Sequence, residues 1–212
     1  MRVSDEHQVL FVHIPKNAGS TVDAIFDDEV PDSRRVGNRA RHVRYKGLVR
    51  TEPGLVDYWS FSFVRNPWAR MVSWYVMMAK IFEQYDAGRP YSVGKVDKFP
   101  HVWEPVRPFV GDFETFVTGA PDAIRRFGRP QYDWLVLEDG REVDFVGRVE
   151  NFAHDIDVVR KRLGLPPAEV VPRNRSSHAH YSEYYTDHTR ERVADLFAVD
   201  IETWGYTFDR PD

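Results

Sequence analysis

The chain has 212 residues, of which 42% are hydrophobic, 14% aromatic and 29% charged, with no cysteine and a formal net charge of -4. That length suits one domain with a sizeable core, and the composition excludes a disordered chain, a disulfide framework and a cysteine nucleophile. A pI near 6.1 argues against a nucleic-acid partner, and no apolar run reaches the ~20 residues of a transmembrane segment, so a soluble, cytoplasmic protein is expected.

Val9 to Ile14 is a short apolar run rich in β-branched residues and closed by Pro15, which predicts a buried strand. From Ser20 the period changes: Val22, Ile25 and Phe26 recur at helical spacing, with Ser20 or Thr21 as the cap. A second unit repeats this order. Trp59 to Val64 alternates as a strand does, Asn66 offers a cap, Pro67 suits the first helical position, and Met71, Trp74, Tyr75 and Met78 form an apolar stripe. Val143 to Gly147 predicts a further strand, followed by a helix from Asn151 to Leu163 that Gly164 and Pro166 stop. A last helix is expected from Asp187 to about Val199, while residues 84–108 and 172–185 show little periodicity and are expected as irregular loops. Strands alternating with helices predict an α/β fold with a largely parallel sheet, in one domain of residues 1–212.

The loop His13-Ile14-Pro15-Lys16-Asn17-Ala18-Gly19-Ser20-Thr21 lies between a strand end and a helix N-terminus. Such a junction directs backbone N–H groups and the helix dipole at one spot, an anion site. Lys16 adds a full charge, Ser20 and Thr21 add hydroxyls, and Gly19 allows close approach to the backbone. A Walker loop would place its lysine directly after the last glycine, and here Lys16 precedes Gly19. A second run, Arg65-Asn66-Pro67-Trp68-Ala69-Arg70-Met71-Val72-Ser73, sets Arg65 at a strand end and puts Arg70 and Ser73 on one helix face. Arginine and a hydroxyl converging on one point suit a phosphate monoester.

Phe11 to Thr21 resembles the 5′-phosphosulfate-binding loop of sulfotransferases, and Arg65 to Tyr75 resembles their 3′-phosphate-binding segment. The branch most similar is the carbohydrate-type family with Golgi and bacterial members, and Gly147 to Phe152 and Tyr184 to Tyr206 share the likeness. Residue 18 is Ala where many members have Gly. The resemblance implies a P-loop-like three-layer α/β fold with a mainly parallel central sheet flanked by helices. It implies 3′-phosphoadenosine 5′-phosphosulfate (PAPS) as donor, adenosine 3′,5′-bisphosphate (PAP) as product, and a sugar, glycolipid or small-molecule acceptor. It assigns Lys16 to the phosphosulfate, and Arg65 and Ser73 to the 3′-phosphate. Asn17, Ala18, Gly19, Ser20 and Thr21 join the donor loop, and Arg175 or Ser176 would reach the 3′-phosphate from a late loop. Residues 84–108 would form an acceptor-side lid or an insertion.

Sulfuryl transfer, by analogy with phosphoryl transfer, builds charge on the leaving oxygen, where Lys16 and the amides of residues 17–21 would stabilise it at about 3 kcal/mol per donor. Side-chain cations fill that role, so no metal is expected. His178, His180 and His188 lack the carboxylate or cysteine partners of a zinc set. For the base, His42 lies between the two segments, where related sequences often carry histidine, and its ordinary pKa of about 6.5 suits proton transfer near neutrality. Glu29, Asp23 and His13 are its rivals. Seven basic residues from Arg34 to Arg50, with no acid among them, fit either steering of an anion or a solvated helix face. A kinase with a divergent phosphate loop and a nucleotide-binding module without turnover stay open alternatives.

Overall fold

The computed structural model of the protein describes residues 1–37, 42–170 and 179–209. The chain opens with β1 (Arg2–Ser4), β2 (Val9–Phe11), α1 (Gly19–Glu29), β3 (Arg34–Arg35), α2 (Tyr45–Thr51) and β4 (Trp59–Val64). It continues with α3 (Pro67–Asp86), α4 (Pro90–Lys98), α5 (Pro100–Trp103), α6 (Phe113–Ala123) and α7 (Tyr132–Leu135). Then follow β5 (Phe145–Arg148), α8 (Phe152–Arg162), α9 (Asp187–Leu196) and α10 (Ala198–Trp204). Two compact units emerge: the described residues of Met1–Arg65 with Gln131–Arg175, and those of Asn66–Pro130 with Ser176–Asp212.

The first unit holds a five-stranded sheet of order β3-β1-β2-β4-β5. Strands β2, β4 and β5 run parallel, with Phe11 opposite Phe61 and Val64 opposite Arg148, whereas β1 is antiparallel to both β2 and β3. The sheet is therefore mixed, where a mainly parallel one was expected. The cause is the short link between β1 and β2: a tight turn joins only antiparallel strands, and a parallel pair needs a crossover long enough for a helix.

Alternation along the strands puts Val9, Phe11, Phe61 and Phe63 on one face. There they meet Val22, Ile25 and Phe26 of α1 and Phe152, Ile156 and Val159 of α8 in one buried cluster. The Phe11 and Phe61 rings stack with centroids 5.1 Å apart. Each such side chain contributes about 1.5–3 kcal/mol by leaving water, so this layer fixes the mutual register of β2 and β4. Ser20 and Thr21, expected as caps, lie inside the first turn of α1, because the helix begins at Gly19 after a left-handed Ala18.

In the second unit, Asn66 caps α3 as expected: its side chain accepts from the Trp68 and Ala69 amides at 3.0 and 3.4 Å, and Pro67 takes the first helical position. The expected irregular stretch of residues 84–108 is instead mostly helical, as α4, α5 and a 3-10 turn over Glu104–Phe109. Pro90 and Pro100 start helices, and aromatic rings of the stretch pack with a cation: the Lys95 ammonium lies 5.4 Å from the Tyr91 ring and 4.9 Å from the Trp103 ring. The last helix is broken at Phe197, which is buried and separates α9 from α10. Tyr181–Tyr184 forms a 3-10 turn within the other expected loop.

The basic run at residues 34–50 is not one solvated helix face. Arg34 pairs with Asp5 at 2.7 Å and Glu52 at 3.2 Å, Arg35 with Asp27 at 3.4 Å, and Arg50 with Glu138. Arg39 and Arg41 lie outside the described residues.

Candidate functional site

The loop joining β2 to α1 alternates in burial. Asn17, Gly19 and Thr21 are buried, while Lys16, Ala18 and Ser20 are half-buried. Two of its non-glycine residues are left-handed, Lys16 with φ +73° and Ala18 with φ +57°. Such conformations cost about 1–3 kcal/mol each and persist only where the surroundings enforce them. Asn17 supplies part of that enforcement. Only 1% exposed, it donates through Nδ2 to the Phe63 carbonyl at 2.8 Å and to Gln131 Oε1 at 2.7 Å. Its side chain thus braces the loop from within. The Ala18 carbonyl accepts from the Thr21 and Val22 amides at 2.8 and 3.3 Å, so the Thr21 amide is committed inside the helix. The left-handed Ala18 carries a Cβ penalty that a glycine at this position would not.

Gly19 is needed for a reason other than ligand approach. A Cβ there would lie 1.8 Å from His13 Nε2, because the His13 ring fills the space against it. That ring is 3% exposed, stacks on Phe11 at 5.2 Å and meets His42 edge-on at 4.4 Å. Its Nδ1 lies 3.8 Å from Asp23 Oδ2, and Asp23 in turn lies 3.5 Å from Arg2 Nε and 3.7 Å from Arg35 Nη1. A Gly19→Ala variant must displace a ring confined on several sides. It should lose about 1–3 kcal/mol of stability through overpacking, measured by urea denaturation; an unchanged midpoint would contradict this packing.

His42, half-buried, places Nδ1 3.2 Å from the His13 carbonyl oxygen. A carbonyl only accepts, so Nδ1 carries the hydrogen, and in the neutral ring Nε2 is left as the basic nitrogen. The rivals are placed otherwise. His13 and Asp23 are buried beneath the loop. Glu29, at the last position of α1, receives both ends of the Arg160 guanidinium at 2.8 and 2.7 Å.

Hydrogen bonding from Arg160 holds the Glu29 carboxyl below its ordinary value. The folded state therefore binds a proton there less readily than the unfolded chain, and the pair stabilises fully above the unfolded pKa of about 4.3. That contribution disappears as pH falls through the lower, folded value. Comparing Glu29→Gln with the parent by denaturation across pH 7 to 3 should show their stability difference shrinking on the acid side. A difference independent of pH would contradict the ion pair.

Arg65 directly follows β4 and is half-buried. Its N–H donates to Gln131 Oε1 at 2.9 Å, and its carbonyl accepts from Gln131 Nε2 at 2.8 Å. Gln131, wholly buried, escaped the reading of the sequence. It is a lone amide in Arg129-Pro130-Gln131-Tyr132, and no local pattern marks it.

Ser73 lies in the second turn of α3, in the other unit, and is buried there. Arg70, expected beside it on an anion, is turned into packing instead: Nη1 donates to the Arg129 carbonyl at 3.3 Å, and the guanidinium lies 5.8 Å from the Phe197 ring. Of the histidines weighed for zinc, His180 caps the 3-10 turn at Tyr181 and His188 lies 3.6 Å from Glu114. Arg175, Ser176 and His178 lie outside the described residues.

Among the described residues, Lys16 and Arg65 thus leave the C-terminal ends of the neighbouring parallel strands β2 and β4. Residues 1–207 match the sulfotransferase family. The chain is 26% identical over 189 residues to carbohydrate sulfotransferase 14 of Danio rerio, an alignment covering 82% of this chain and 51% of that protein. The chain therefore spans about half the length of this curated relative. No solved structure matches it significantly. With a family match that runs through both strand-end segments and nearly the whole sequence, the chain belongs to the sulfotransferase family.

Proposed function

We propose that residues 1–212 act as one sulfotransferase domain. It would move a sulfuryl group from 3′-phosphoadenosine 5′-phosphosulfate to a hydroxyl of a carbohydrate, glycolipid or small metabolite. The observation that carries the reading is the pairing of β2 with β4 in parallel, Phe11 opposite Phe61. It brings the Lys16 loop and Arg65 to the C-terminal ends of neighbouring parallel strands, the end of the sheet at which α/β folds bind ligands. The donor set is cationic and includes the N-terminus of α1, which fits an anion at each end of one nucleotide. In this role the β2–α1 loop works as a P-loop does, with its lysine before rather than after the glycine. The carbohydrate acceptor follows the name of the relative from Danio rerio.

The donor supplies the sulfuryl group and a bisphosphate leaving group. His42 Nε2 takes the acceptor hydroxyl proton as the new S–O bond forms and the S–O bond to the 5′-phosphate breaks. Lys16 faces the oxygen on which charge accumulates, and Arg65 holds the 3′-phosphate from a point that stays fixed through the reaction. No step draws on a metal.

Calorimetry tests the donor assignment. Adenosine 3′,5′-bisphosphate should bind without divalent cations, and ATP with Mg²⁺ should not compete. Preferential binding of ATP with Mg²⁺ would overturn the reading in favour of a kinase.

A further inference from the structure

The two proposed phosphate cradles lie on different strand ends, yet one side-chain amide bonds to both. Gln131 Oε1 accepts from Asn17 Nδ2 at 2.7 Å and from the Arg65 N–H at 2.9 Å, while Nε2 donates to the Arg65 carbonyl at 2.8 Å. Asn17 Nδ2 closes the set on the Phe63 carbonyl at 2.8 Å. Each partner of a nitrogen in this set is a carbonyl-type oxygen, so the orientation of both amides is fixed by the bonding itself.

The bonding has a particular form. Strand β4 pairs with β5 only as far as Val64 opposite Arg148. Beyond that point Gln131 engages both the N–H and the C=O of Arg65, as the next residue of a neighbouring strand would. It extends the ladder by one position and fixes the main chain from which Arg65 projects. The same oxygen grips Asn17, which follows Lys16 directly and lies between two left-handed residues. Because Gln131 and Asn17 are both buried, water does not compete for these bonds, and the network is stiff.

We infer that Gln131 is a positioning residue that sets the distance between the Lys16 and Arg65 cradles, and so selects a nucleotide carrying phosphates at both the 3′ and 5′ positions. The inference rests on the donor reading above. A ligand with one phosphate uses one cradle and is indifferent to their separation. A ligand with two is sensitive to it, because a slip of about 1 Å in such a site can cost on the order of 100-fold.

The test compares adenosine 3′,5′-bisphosphate with adenosine 5′-monophosphate by calorimetry on the full chain and on Gln131→Met and Gln131→Asn. Methionine keeps the shape and removes the bonds. Asparagine keeps the polarity but falls one methylene short, so it serves if the methionine variant fails to fold. In a variant that melts cooperatively, the preference for the bisphosphate should fall about tenfold or more, while affinity for the monophosphate stays within about threefold. A merely structural role would weaken both ligands alike. Equal losses, or a preference kept within about twofold, would overturn the inference. A parent protein with no preference for the bisphosphate would instead sink the donor reading beneath it.

Discussion

Replacing His42 by alanine is expected to lower kcat by about 10²–10⁴-fold while leaving the affinity for adenosine 3′,5′-bisphosphate within about threefold. The separation of the two effects follows from the position of the ring. Its Nδ1–H is held by the His13 carbonyl at 3.2 Å, which orients Nε2 without making His42 part of the anion loop. The proton of the acceptor hydroxyl has to leave as the new bond forms, and the rival groups are buried or, for Glu29, locked in an ion pair. Steady-state kinetics with labelled donor, set beside product binding by calorimetry, measures both quantities. Unchanged turnover in His42→Ala would reject it as the base.

The second large effect is expected at Lys16. A Lys16→Met variant keeps the aliphatic stem and removes the charge that the proposed mechanism sets against the breaking bond, and should lose about 10²–10³-fold in kcat. The charge builds on the leaving oxygen as the reaction proceeds, so the loss should fall more on kcat than on the binding of the intact donor. Equal losses in binding and turnover would instead make Lys16 a uniform ligand of the donor.

The elements with strong local signals were legible in the sequence. The change of period after Val9 to Ile14 marks the β2–α1 junction, and Asn66 followed by Pro67 marks the start of α3 on grounds of capping alone. The elements missed have signals that are long-range. Strands β1 and β3 are three and two residues long, too short for any period, and exist through pairing with each other and with β2. Residues 84–108 show little periodicity and were expected as an irregular loop, yet Pro90 and Pro100 occupy first helical positions, where a missing N–H costs nothing. Gln131 bonds to residues 114 and 66 positions away, and no window of local sequence holds such a contact.

The candidate site divides in the same manner. Residue types and their order, with the family resemblance, single out Lys16, Arg65 and His42 as candidates, because charge and titration belong to the side chain itself. What each neighbour does there depended on packing. Asn17 and Gly19 both sat in the expected donor loop, but one braces it through buried bonds and the other makes room for His13.

The central claim, that Lys16 and Arg65 hold opposite ends of one adenosine derivative, is tested most directly by a crystal structure with adenosine 3′,5′-bisphosphate bound. The 5′-phosphate is expected against Lys16 and the first turn of α1, with the 3′-phosphate on the Arg65 guanidinium. A nucleotide bound elsewhere, or one reaching only one of these two residues, would contradict it.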